Sequence, residues 1–137
     1  MDDPCVRRDL ARNPGAFPLL WLLPIGVILV TGQLAGGGWL MTAAWTASLL
    51  VMGGACLVNA RRCGRTHCYF TGPFFLVMAA VSLTYGLNLL PLGPRGWSYI
   101  GAVLVLGGVV LCVVPERLWG RYRRTIDETK DNRPVAR

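Results

Sequence analysis

Apolar and polar positions alternate along the chain in long blocks: four apolar stretches, each closed by a short polar or glycine-rich break. They cover about residues 16–35, 39–59, 71–90 and 97–114. Each holds about twenty residues, enough as a helix to cross a hydrocarbon layer roughly 30 Å thick. The pattern therefore predicts an all-α, polytopic membrane protein of four transmembrane helices. One domain over residues 1–129 accounts for all four, and no internal repeat divides it.

The breaks carry their own punctuation. Pro18 falls in the first turn of the first stretch, where its missing N–H costs nothing, whereas Pro24 is interior and is expected to kink the helix. Gly36, Gly37 and Gly38 predict a tight uncharged turn. Residues 60–70, ARRCGRTHCYF, read as a basic loop, and Thr71 with Pro73 as the capped start of the third helix. PLGPRG, residues 91–96, reads as a rigid turn. Pro115 is expected to stop the fourth helix. Residues 116–129 then suit an interfacial helix, and residues 130–137, KDNRPVAR, a disordered tail.

Charge fixes an expected orientation. Of the 14 Lys and Arg residues, only Arg95 lies outside residues 1–12, 61–65 and 116–137. Basic loops stay on the cytoplasmic side, so both termini and the second loop are expected inside, in a bacterial inner membrane. Trp39 and Trp97 would then mark the outer interface, and Trp119 and Tyr122 the inner one. The net charge of +7 is explained by this flanking pattern, and nucleic-acid binding is excluded as its cause. Arg7 and Arg8 form a twin-arginine pair, but GQLAGGG is a poor cleavage site and the first helix is expected to remain in the chain.

Topology gives the five cysteines their meaning. Cys5, Cys63 and Cys68 fall in expected cytoplasmic segments; Cys56 and Cys112 lie near the cytoplasmic ends of the second and fourth helices. Thiols are kept reduced there, which argues against a structural disulfide framework. Cys56 and Cys63 are seven apart and share a face if the second helix continues to Cys63, with Gly64 permitting a turn beyond. Cys63, His67 and Cys68 sit among Arg61, Arg62 and Arg65, and arginine favours thiolate, the form that binds soft metals. The candidate metal ligands are therefore Cys63, His67 and Cys68, assisted by Cys56 and Cys112, and the candidate ions are Hg, Zn or Cu.

C-x3-H-C is not a structural zinc signature, and three ligands in one loop do not close a tetrahedral site. Cysteine is also an ordinary small apolar residue in membrane helices, and His67 alone could cap a helix or meet a phosphate. The stretches contain no Asp, Glu, Lys or Arg; Thr31, Gln33, Asn59, Ser82, Thr84 and Asn88 are expected to hydrogen-bond between helices. No phosphate loop, nucleophile elbow or carboxylate dyad is present, so an enzyme is not the expected reading.

NARRCGRTHCYFTGPFF looks like segments of small uncharacterised bacterial membrane proteins. In layout the chain resembles the small mercuric-ion transport proteins of bacterial inner membranes, with a few helices and membrane-proximal cysteines. Those carry an adjacent cysteine pair in the first span, where this chain has no cysteine, so the likeness transfers no residue. It implies transport of a soft metal ion handed to a soluble acceptor. The alternatives are a non-catalytic accessory or assembly subunit of a membrane complex, and a thiol-redox membrane protein using Cys63 and Cys68. Besides the lipid bilayer, the partners in view are membrane-complex subunits or further copies of the chain.

Overall fold

A computed structural model describes residues 10, 13–34 and 38–119, apart from the side chains of Cys63 and Trp119. The regular elements among the described residues are all helices, with no strand among them. A π-helical turn, Pro18–Leu22, leads directly into α1, Leu23–Leu34. Next come α2 (Trp39–Cys63), α3 (Thr66–Gly86) and α4 (Gly96–Trp119). Three segments are long and apolar enough to cross a membrane: Trp39–Arg62, Thr66–Gly86 and Gly96–Leu118. The apolar helix Pro18–Leu34 is shorter.

The helix boundaries differ from the sequence expectation in four places. The basic loop is almost absent, because α2 runs on to Cys63 and α3 begins at Thr66. Gly64 closes α2 with φ 61°, the left-handed conformation glycine adopts without a Cβ clash, and its N–H reaches Ala60 O at 2.8 Å. Thr71 is consequently no cap: it lies inside α3, as does Pro73. At the other end α3 stops at Gly86, short of residue 90, and Asn88 turns the chain with φ 58°. Asparagine tolerates that region better than most side chains do.

One proline acts otherwise than expected, and another sits beside an irregular turn. Pro24 is associated with the π turn ahead of it, where Leu23 N–H bonds to Pro18 O. The wider turn is one way to relieve the crowding a proline ring imposes on the carbonyl four residues back. Pro115 does not stop α4, which continues to Trp119. Only one backbone bond is forfeited there, and the helix resumes on its far side. Residues 1–9 and 120–137, with Cys5, Tyr122 and most of the expected interfacial helix and tail, lie outside the described residues.

α2 and α3 form the central antiparallel hairpin, with α1 against α2 and α4 against α3. The hairpin closes tightly through small residues: a Cβ on Gly53 would stand 2.9 Å from Leu76, and one on Gly72 2.8 Å from Leu57. Such approach supplies dispersion contacts that lipid cannot out-compete. At the Arg95 end, Trp97 packs edge-on against Trp45 and Tyr85 at 5.3 and 5.2 Å. α4 is the outlier, since only 6% of its apolar span is buried within the molecule.

Candidate functional site

The Gly64 end of the hairpin gathers the polar chemistry. Because α2 extends a turn beyond Asn59 and α3 starts at Thr66, Cys56 and Asn59 on one helix face Cys68 and Thr71 on the other. Cys56 is 2% exposed, Cys68 1% and Asn59 0%. The two thiols are neighbours across the hairpin, since Thr71 of α3 reaches Cys56 and Asn59 of α2 reaches Cys68, and Trp21 packs against the same cluster.

Each sulfur has further polar neighbours. Asn59 Nδ2 donates to Cys68 Sγ at 3.8 Å, while Asn59 Oδ1 accepts from Leu10 N–H at 3.0 Å. Thr71 Oγ1 stands 3.6 Å from Cys56 Sγ and 3.0 Å from His67 O, its one proton shared between two acceptors. His67 Nδ1 is 2.6 Å from Glu116 Oε1, and His67 Nε2 is 3.4 Å from Cys68 Sγ. In the neutral ring, Nδ1 donating to the carboxylate leaves Nε2 as an acceptor facing the thiol. Arg65 Nε approaches the same carboxylate at 3.6 Å. A continuous chain of contacts thus runs from Glu116 on α4 through His67 and Cys68 to Cys56 and Thr71.

Of the five residues singled out as metal ligands, the structure joins Cys56, His67 and Cys68 in this chain. Cys112 is exposed on α4 and takes no part in it. The Cys63 side chain lies outside the described residues. Among the described residues no group of three or more His, Cys, Asp or Glu is disposed to hold a metal ion. A pair of thiols is what remains, and it suits ions content with two soft ligands better than tetrahedral zinc.

Sequence reasoning missed Glu116, Thr71 and Trp21. Glu116 was hidden by treating Pro115 as the end of the helix, although a lone acid after a basic-rimmed span was a usable signal. Two of the other polar residues bond locally: Thr31 Oγ1 donates to Val27 O at 2.6 Å, and Thr84 Oγ1 to Ala80 O at 2.9 Å. Only Asn59 performs the inter-helix role expected of the group. No protein-family model, no curated protein and no solved structure matches the chain.

Proposed function

We propose that this chain is a multi-pass inner-membrane protein that binds or passes a soft metal ion through the thiols of Cys56 and Cys68. The observation carrying the reading is the placement of those two buried sulfurs between α2 and α3, each with a polar side chain of the other helix against it. Cu(I) and Hg(II) are the fitting ions, because two thiolates satisfy them and Zn(II) asks for four ligands. The burial that keeps a bulky reactant out still admits a bare ion. Four crossings with both termini inside complete the picture. Arg61, Arg62, Arg65 and Arg117 gather at the Gly64 end while Arg95 stands alone at the other, as the positive-inside rule asks of a cytoplasmic end.

The test is Cu(I) titration of purified protein under anaerobic reducing conditions against a competing chelator. One ion per chain is expected. A four-ligand structural site is worth about 10–16 kcal/mol, or roughly 3–4 kcal/mol per ligand. Cys56→Ser or Cys68→Ser should therefore weaken binding by roughly 100- to 1,000-fold. A double variant that binds as tightly as the parent removes the reading. A second reading, an accessory subunit of a membrane complex, is supported by the largely unburied α4. It takes precedence if no ion binds and a complex co-purifies with the chain.

A further inference from the structure

We propose that Cys56 and Cys68 form a reversible disulfide when a small peroxide reaches them, making this end of the hairpin a two-electron redox site. The pairing differs from the one the sequence suggested, Cys63 with Cys68, and does not require the soft-ion reading. It follows from placement. Asn59, one turn past Cys56, reaches Cys68 Sγ at 3.8 Å, and Thr71, one turn past Cys68, reaches Cys56 Sγ at 3.6 Å, so the two sulfurs face each other across the hairpin and a bond near 2 Å needs only a small approach. The helices bearing them are held by the Gly53 and Gly72 approaches and joined by Gly64 and Arg65 alone, which keeps the sulfurs together. Cys112 is exposed on α4, and peptide mapping separates any oxidation of it from the Cys56–Cys68 link.

Burial also selects the oxidant. At 1–2% exposure, neither thiol is open to a protein disulfide, whereas hydrogen peroxide is hardly larger than water. In the first step Cys68 sulfur takes one peroxide oxygen to become the sulfenic acid, and its proton leaves with the other oxygen as water. Cys56 sulfur then attacks the Cys68 sulfur and expels the hydroxyl, which leaves as a second water with the Cys56 proton. One disulfide forms, one O–O bond breaks, and two electrons pass from the thiol pair to the peroxide. Only a thiol small enough to enter the site reverses the bond by exchange.

The experiment uses the full chain, stripped of metal, in detergent micelles. After hydrogen peroxide, the protein is unfolded, its free thiols are alkylated and the peptides are mapped. Two of the five thiols should be lost, as one link between Cys56 and Cys68, and restored by dithiothreitol. Cys63→Ser should keep the link and Cys56→Ser should abolish it, with gel filtration confirming that both variants remain folded. A Cys63–Cys68 link, or oxidised single cysteines with no link, overturns the proposal. Titrating the same samples with Cu(I) separates the two ideas. A link that forms while the oxidised protein still takes up the ion supports the disulfide and sinks the soft-ion reading. No link alongside intact ion binding does the reverse.

Discussion

Asn59 offers the sharpest check on how the Gly64 end is held together. Replacing it by leucine keeps the number and branching of the side-chain heavy atoms, so no cavity opens, while the bulkier methyls add some overpacking. What goes is the amide. Its oxygen accepts the Leu10 N–H at 3.0 Å, in a partly buried setting, and its nitrogen donates to Cys68 Sγ at 3.8 Å. The second contact is long and ends on a weak acceptor, so it contributes little. The first leaves a backbone donor without its partner, at a cost of about 1–3 kcal/mol. Asn59→Leu should therefore lower the unfolding free energy by about 1–3 kcal/mol, measured by titrating mixed micelles with sodium dodecyl sulfate. Thr84→Val is the control: its hydroxyl only bonds back along its own helix, and its loss should stay within about 0.5 kcal/mol. The reasoning fails if Asn59→Leu unfolds as readily as the control and no more.

Two further outcomes follow from the geometry. Gly64→Ala forces a Cβ into the left-handed turn between α2 and α3, and should cost about 1–2 kcal/mol in the same micelle titration. Reporter fusions after Arg65 should report the cytoplasm and fusions after Gly37 or Arg95 the outside; an external signal at Arg65 would reverse the orientation and with it the redox setting of the thiols.

The helices were legible because apolar blocks of membrane length have few other uses. Their ends were not, and the reason is specific. Arg61, Arg62 and His67 look like loop residues by polarity, yet a helix emerging from a bilayer can carry basic and aromatic residues on its last turn. Reading polarity as a boundary thus created an eleven-residue loop, residues 60–70, where two residues suffice. The same habit cut α4 at Pro115 and concealed Glu116. Three of the five singled-out ligands, Cys56, His67 and Cys68, were nonetheless brought together. Helical periodicity placed Cys56 on a face with Cys63, but it could not say that α3 would begin early enough to present Cys68 instead.

The two-residue connection between α2 and α3 also has a consequence for how the protein is made. Cys56, Asn59, Cys68 and Thr71 pair across sequence separations of only 9 and 15 residues. Contacts so local form without waiting for distant chain. Glu116 arrives 49 residues after the His67 it meets. The thiol pair thus depends on the hairpin alone, and α4 brings the carboxylate to it as a separate packing step.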